Sequence, residues 1–316
     1  MRLFLSSLML TGSSLSGCLG NSPGAESPPP SSFAITAIPG VTAPGATLER
    51  VATGLRFVEG PAWEARSAAW LFSDIPANCI YRLDAQLALT IVEEPSRNTN
   101  GNFIDRAGNR YSCEHGSRQV TRTAVTDDGS IRTVIASTYH GKSLNSPNDC
   151  VLATDGALWF TDPDYGLAGR ASEQPCHGVY RLAAGAAEPE LMLNDCAQPN
   201  GLCFSPDGKT LYLADSGKPH HVRAFTLRAG SYQPTAGRVF AVISPGVPDG
   251  LRCDSLGRLF VTAGDGVQVF AADGQHLGTI AVPESPANCA FGGPQGTTLL
   301  ITARTSCYRI ALMTGQ

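Results

Sequence analysis

Residues 146–162 read SPNDCVLATDGALWFTD, and this stretch contains the pattern that decides the fold. A polar entry is followed by a short apolar run, by an Asp155-Gly156 turn and by a second apolar run. Asp-Gly between two such runs is typical of a β-hairpin. A third β-type run, GVYRL, follows at residues 178–182. The stretch therefore predicts a small antiparallel sheet of consecutive strands.

The same pattern recurs six times along the chain. The repeats start 39–52 residues apart, at Glu59, Asn100, Asn148, Asn200, Asp249 and Asn288. A repeat of this length fits one four-stranded blade. Long stretches of helical periodicity are missing, which disfavours a barrel of alternating strands and helices. The sequence predicts an all-β fold, a six-bladed β-propeller with a central channel, and a pair of unrelated β-sandwiches is the alternative.

Composition narrows the classes of partner. Charged residues make up 16% of the 316 residues, and the formal net charge is −4 without a basic block. A weakly acidic chain of this kind argues against nucleic acid as a partner. Beyond the N-terminus, no run of about 18 uncharged apolar residues occurs, which argues against an integral membrane bundle.

The N-terminus has the features of an export signal. Arg2 precedes an apolar segment, Leu3 to Leu10, as in a signal peptide. The following residues 15–18, LSGC, resemble the bacterial lipobox, which predicts lipidation of Cys18; an ordinary secretory signal with a chance cysteine is the alternative. We expect a lipoprotein signal peptide over 1–18, a flexible Pro/Ser-rich tether over 19–46 and the propeller over 47–316. The predicted location is the cell envelope, lipid-anchored on the periplasmic side, or the secreted fraction. The only membrane contact expected is the anchor.

The six repeat starts carry two carboxylates and four amides. In a propeller the innermost strands line the channel, so we expect these side chains to converge on the axis at one mouth. Asn and Asp before Gly are also ordinary turn residues, but six polar residues at equivalent positions favour a shared site. Two carboxylates with neutral oxygens suit a hard divalent cation, Ca²⁺, Mg²⁺ or Mn²⁺.

Several motifs resemble those of the gluconolactonase and regucalcin (senescence marker protein) family, and most closely its bacterial gluconolactonase branch. They are EGPAW at 59–63, FSDIP at 72–76, NSPND at 145–149, FTDPDYGL at 160–167, PNGL at 199–202 and PDGL at 248–251. The resemblance implies a six-bladed propeller that binds one divalent cation and hydrolyses sugar lactones. Ca²⁺ is the favoured cation, with Mg²⁺, Mn²⁺ or Zn²⁺ as alternatives.

The resemblance also implies roles for individual residues. Glu59, Asn148, Asn200 and Asp249 match the metal-binding residues of the family. Asp249 additionally matches the proposed catalytic general acid/base, and Asn148 also contacts substrate. The animal branch has an arginine two positions before that asparagine, where this chain has Ser146.

Further polar residues are candidates for contacts to a small lactone substrate. They are Asn100, Glu114, His115, Asp162, Tyr165 and Asn288. A serine esterase is disfavoured because the sequence has no G-x-S-x-G motif. Two alternative functions stay open: a non-catalytic envelope propeller with a structural cation and a partner-binding face, and a different chemistry on the same scaffold, such as organophosphate hydrolysis or a strictosidine-synthase-like condensation.

Overall fold

β-Strands and turns account for the secondary structure in the computed structural model, which describes residues 31–126 and 129–314. Within these ranges no helix is long and apolar enough to cross a membrane. The strands are β1 Ser31–Ala34, β2 Thr47–Ala52, β3 Val58–Glu64, β4 Ala69–Asp74, β5 Cys79–Leu83, β6 Leu89–Glu93, β7 Thr99–Ile104, β8 Arg110–Glu114, β9 Gln119–Thr126, β10 Gly129–Ala136, β11 Thr138–Tyr139, β12 Lys142–Ser143, β13 Cys150–Leu152, β14 Leu158–Asp162, β15 Gly178–Leu182, β16 Glu190–Leu193, β17 Pro199–Phe204, β18 Thr210–Asp215, β19 His221–Thr226, β20 Arg238–Val242, β21 Leu251–Cys253, β22 Leu259–Ala263, β23 Gly266–Phe270, β24 His276–Ala281, β25 Pro286–Gly292, β26 Thr298–Ala303 and β27 Ser306–Ala311.

In the described part of the chain these strands form six antiparallel blades, apart from β11 and β12, which pair as a separate hairpin. Blades 1 to 5 are β3–β6, β7–β10, β13–β16, β17–β20 and β21–β24, and blade 6 joins β25, β26 and β27 to β2 and β1. The first strands of successive blades contact one another in a closed circle, β3, β7, β13, β17, β21, β25 and back to β3. The predicted six-bladed β-propeller is confirmed, and the β-sandwich alternative is wrong.

Glycines allow the innermost strands to approach each other at the axis. A Cβ atom on Gly101 would lie 2.5 Å from the carbonyl oxygen of Asn148, and one on Gly201 would lie 2.5 Å from that of Asp249. The same two glycines donate their N–H groups to those carbonyls, at 2.8 and 3.1 Å. These glycines therefore serve contact between blades, where the sequence alone also allowed a turn role.

Apolar side chains fill the space between blades. Trp159 of blade 3 is fully buried and meets Phe204 of blade 4 edge-on, with ring centroids 5.8 Å apart. Stacking continues inside the blade, where the rings of Phe160 and Tyr180 lie 5.3 Å apart. Such contacts hold each blade rigidly against the next one, and so they fix the positions of the residues at the axis.

The segment 31–46, assigned to the flexible tether by the sequence, is part of the propeller, and that boundary is wrong. β1 pairs with β2 along the outside of blade 6. Ile38 and Val41 are 2% and 0% exposed in a core cluster shared with blades 5 and 6. Burial of these two side chains explains why the segment is ordered. The predicted signal peptide, the lipidation site Cys18 and residues 19–30 of the tether lie outside the described residues.

Candidate active site

The six repeat starts lie where the predicted ring requires them, at one end of the innermost strands. Four of them belong to β3, β7, β17 and β25, while Asn148 and Asp249 stand two residues before β13 and β21. All except Asp249 are buried, and Asp249 stays partly open to the channel. The propeller therefore places two carboxylates and four amides around its axis.

Glu59 and Asp249 influence each other electrostatically, although they come from blades 1 and 5. Burial raises the pKa of Glu59 from 4.5 to about 7, and the hydrogen bond from the Gly60 N–H to Glu59 Oε2, 2.7 Å long, partly offsets the rise. Burial and the Glu59 charge, in that order, raise the pKa of Asp249 well above its ordinary value. Two neighbouring carboxylates that repel in this way, one buried and one partly exposed, need a proton or a cation between them.

A third carboxylate, Asp149, was missed by the sequence analysis. It is fully buried, and its charge raises the pKa of both Glu59 and Asp249. Its Oδ2 atom lies 3.3 Å from Nη1 of Arg252 and 3.4 Å from Nδ2 of Asn288. The sequence signal for Asp149 was its position directly after Asn148. Its partner Arg252 lies 103 residues further along the chain, so the two meet only when the propeller closes.

Charge balance in this cluster leaves room for a divalent cation. With Glu59, Asp149 and Asp249 ionised, Arg252 neutralises one of three negative charges. Arg304 adds a weaker attraction for Asp249. About two negative charges would then remain in a buried setting, which is costly unless a counter-charge is bound.

Amide oxygens complete the donor set. The Asn148 side chain is buried, and no hydrogen bond to it is found among the described residues. Asn200 donates through Nδ2 to Oγ of Ser216, at 3.1 Å, and its side chain also interacts with Asp249 and lowers the Asp249 pKa. Within residues 31–126 and 129–314, no group of three or more His, Cys, Asp and Glu side chains is arranged to hold a metal. A cation at the axis would therefore need amide oxygens beside Glu59 and Asp249, and this all-oxygen set fits Ca²⁺, Mg²⁺ or Mn²⁺ better than Zn²⁺.

His115 and Tyr165 lie beside the ring. His115 is buried, with its Nε2 atom 3.3 Å from Nδ2 of Asn100. Burial and the nearby charge of Arg170 lower the pKa of His115 to about 4, so its ring is neutral near pH 7. Tyr165 is 48% exposed, and its hydroxyl interacts with the Ser216 and Asn200 side chains. Both residues therefore border the space above the ring.

Asp162 and Glu114 have structural surroundings, so their assignment as substrate contacts is corrected. Asp162 is fully buried and accepts the Asn145 N–H at Oδ2, 2.7 Å away; burial raises its pKa to about 7. It thereby holds the loop that leads to Asn148. Glu114 receives two hydrogen bonds from Arg132, of 2.9 and 2.7 Å, and this pairing leaves it little capacity to bind a substrate.

Closed blades around a polar, acidic ring define a six-bladed β-propeller with a site on its axis. Residues 57–305 match the family described as SMP-30/Gluconolactonase/LRE-like region. The gluconolactonase of Zymomonas mobilis is 31% identical over 296 residues, which cover 84% of this chain and 82% of that protein. This chain therefore belongs to the SMP-30/gluconolactonase/LRE-like family, as its sequence motifs predicted.

Solved structures agree with this assignment. A gluconolactonase from Xanthomonas campestris superposes with a TM-score of 0.82 at 33% identity, over 91% of this chain and 98% of that one. A calcium-binding regucalcin from Agrobacterium tumefaciens shares the fold, with a TM-score of 0.69 at 24% identity over 84% of this chain and 94% of that one. The propeller fold is thus common to proteins described as lactonases and as calcium-binding.

Proposed function

We propose that this protein is a lactone hydrolase of the gluconolactonase type, which opens sugar lactones with the help of one divalent cation. The observation that carries the proposal is that Glu59 and Asp249, from different blades, interact electrostatically at the axis, with the Asn200 side chain also acting on Asp249. The Zymomonas and Xanthomonas relatives described as gluconolactonases support the substrate class.

Glu59, Asn148, Asn200 and Asp249 would hold the cation. Ca²⁺ is the favoured ion because the donors are oxygens and because the related Agrobacterium regucalcin is described as calcium-binding. When bound, a divalent cation polarises a carbonyl group and stabilises negative charge that develops on its oxygen.

Asp249 is the proposed proton carrier. Water adds to the lactone carbonyl carbon, and Asp249 takes one proton from that water. The bond between the carbonyl carbon and the ring oxygen then breaks, and Asp249 returns the proton to the leaving alkoxide, which yields the open hydroxy acid. A bound cation would draw on one Asp249 oxygen, so the second carboxylate oxygen of Asp249 is the proposed proton acceptor. Its partial exposure to the channel lets substrate and water reach it.

Asn100, His115, Tyr165 and Asn288 are the remaining candidates for substrate contacts. The first two form one hydrogen-bonded pair, in which the neutral His115 ring offers a donor or an acceptor to a sugar hydroxyl. Asn288 is committed to Asp149 through Nδ2 and to the Cys289 N–H through Oδ1, 2.9 Å away. We therefore assign substrate contact first to His115 and Tyr165, and expect Asn288 to support the ring.

Proton release during hydrolysis of a panel of aldonolactones and simple lactones tests the proposal. We expect the wild-type protein to lose turnover in chelator and to regain it when Ca²⁺, Mg²⁺ or Mn²⁺ is added back, with Zn²⁺ less effective. Asp249→Ala should lower kcat by at least about 10³-fold, because proton transfer and a ring carboxylate are both lost.

Asp273→Ala is the matched control, since Asp273 belongs to the same blade and lies in an exposed turn at the opposite end, where its Oδ1 accepts the Gln275 N–H. It should leave kcat unchanged. Lactonase activity that persists in Asp249→Ala would refute the role of Asp249, and a wild-type protein inactive on every lactone would refute the proposed function.

We further propose that the protein is attached to the cell envelope through a lipid on Cys18, which lies outside the described residues. The sequence 15–18, LSGC, and the apolar segment before it support this location. Labelled fatty acid should enter the wild-type chain and fail to enter Cys18→Ser. Equal labelling of both chains would contradict the anchor.

A further inference from the structure

Ser216 follows β18 in blade 4 and lies outside the ring of repeat starts. Its hydroxyl oxygen is 3.1 Å from Nδ2 of Asn200 and 2.6 Å from the carbonyl oxygen of Pro248. Pro248 immediately precedes Asp249, so this one hydroxyl connects a ring amide of blade 4 to the chain that carries the ring carboxylate of blade 5.

The hydrogen-bonding capacity of these groups fixes how the Asn200 amide is turned. A carbonyl oxygen only accepts, so the Ser216 hydroxyl must donate its single proton to the Pro248 carbonyl oxygen. The Ser216 oxygen can then only accept, and the group that faces it has to be the NH₂ of Asn200. If the Asn200 amide flipped, its Oδ1 would face a lone pair of the Ser216 oxygen, and the two atoms would repel.

The other contacts of Asn200 agree with this orientation. Its side chain also interacts with the Asp249 carboxylate and lowers the Asp249 pKa; an ionised carboxylate favours the N–H side of the amide over Oδ1. The Tyr165 hydroxyl interacts with both the Ser216 and the Asn200 side chains. No hydrogen bond to Oδ1 of Asn200 is found among the residues that the structure describes. With its NH₂ turned to Ser216, Asn200 presents Oδ1 on the other side of the amide plane's C–N axis, away from Ser216.

We propose that Ser216 is a positioning residue that holds Asn200 with Oδ1 available to a divalent cation. This role rests on the proposed function, since it assumes a cation at the ring. Without the hydroxyl, the amide gains a second orientation that presents NH₂ to the cation, and the binding-competent fraction falls. Partners of this outer kind typically change metal affinity by about 10- to 100-fold when they are removed.

Calorimetric titration of Ca²⁺ into the metal-stripped full-length protein measures this effect without turnover. We expect Ser216→Ala to weaken Ca²⁺ binding about 10-fold, and Ser216→Thr, which keeps the hydroxyl, to stay within about 3-fold of the wild type. Ser231→Ala is the matched control, because Ser231 is an exposed turn residue of the same blade, and it should bind Ca²⁺ like the wild type.

A double-variant cycle separates orientation from general support of the fold. In the Asn200→Asp background the side chain has two equivalent oxygens, so its orientation no longer matters. Ser216→Ala should then change Ca²⁺ affinity by less than about 2-fold, against about 10-fold in the Asn200 background. An equal loss in both backgrounds would overturn the positioning role.

The outcomes distinguish this inference from the proposed function. If the wild type binds Ca²⁺ and Ser216→Ala binds it equally well, only the role of Ser216 is wrong. A wild-type protein that binds no divalent cation overturns both. Should Ser216→Ala fail to fold, Ser216→Thr and Ser216→Cys decide the matter, since the weak thiol donor of Cys should lower the affinity while Thr preserves it.

Discussion

Glu59 is buried near another negatively charged group, Asp149, and this gives the stability of the metal-free protein a testable pH dependence. Its pKa is about 7 in the folded chain and 4.5 as the reference for the unfolded chain. Between these values the folded state binds more protons, so ionisation of Glu59 lowers stability as the pH rises from about 4.5 through 7. We expect Glu59→Gln to gain stability over the wild type across that window, by a few kcal/mol at most.

Urea unfolding at pH 5 and pH 8, in chelator, measures this difference. Added Ca²⁺ should stabilise the wild type at pH 8 and have little effect on Glu59→Gln. Glu190→Gln is the control, because the Glu190 side chain is 60% exposed on the outer strand of blade 3. A wild type and a Glu59→Gln variant with parallel pH profiles would contradict the assigned burial of the Glu59 charge.

Individual ring residues were predictable from the sequence, whereas their supports were not. Glu59 and Asp249 stand at equivalent places in a repeat, so the repeat itself aligns them. Asp149 and Ser216 acquire their roles from groups in other blades, Arg252 and Pro248. The order of these groups along the chain is known from the sequence, whereas the 3.3 Å and 2.6 Å distances between them arise only in the folded protein.

The connection between β14 and β15 carries Tyr165 to the ring and is fixed by one arginine. Arg170 donates to the carbonyl oxygens of Gly116 and His115 in blade 2, at 2.8 and 2.7 Å. It also donates to Gly166 and Leu167 of its own loop, both at 2.8 Å. A planar guanidinium can satisfy four carbonyls at once, and the ammonium of lysine cannot.

We expect Arg170→Ala to loosen this loop and to raise KM for lactones about 10-fold while kcat stays within about 3-fold. Tyr165 borders the substrate space and transfers no proton in the proposed reaction, so binding should suffer more than chemistry. Steady-state kinetics together with hydrogen exchange of residues 163–170 measure the two effects. Arg106→Ala, at an exposed turn of blade 2, should change neither. A fall in kcat at unchanged KM would contradict the loop's assigned role.

At the scale of strands, the sequence repeat predicted the blades correctly, but the role predicted for an aspartate at the end of one strand was wrong. Asp162 occurs beside the ring motifs, and this proximity in sequence favoured a substrate contact. Its equivalents Asp74 and Asp215 also accept backbone N–H groups of the loops before β3 and β17. The aspartates at the ends of these second strands thus hold the entry loops, a structural role that their recurrence in three blades favours.

Closure of the whole propeller depends on residues far apart in sequence. β2 supplies the fourth strand of blade 6 by pairing with β27, with Glu49 opposite Arg309. The chain before β2 continues across the seam between blades 5 and 6, where Ile38 packs near Gly278. Composition concealed this segment, because the prolines and small residues around Ile38 and Val41 are also typical of a tether.

A chain that begins at Thr47 should therefore be less stable than one that begins at Ser31. It loses two buried aliphatic side chains, Ile38 and Val41, each of the kind whose truncation costs about 2–5 kcal/mol when a cavity remains. It also loses the Gly40 carbonyl that accepts from Arg258 at 2.6 Å and the Val41 carbonyl that accepts from the Met313 N–H at 2.9 Å.

The ring at the axis keeps its own contacts, so Ca²⁺ affinity and kcat at low temperature should be unchanged. Thermal unfolding of the two chains measures the loss, and Ile38→Ala in the full chain should give part of it. Equal melting temperatures would show that β2 alone closes the propeller, with the segment before it adding nothing to the seam.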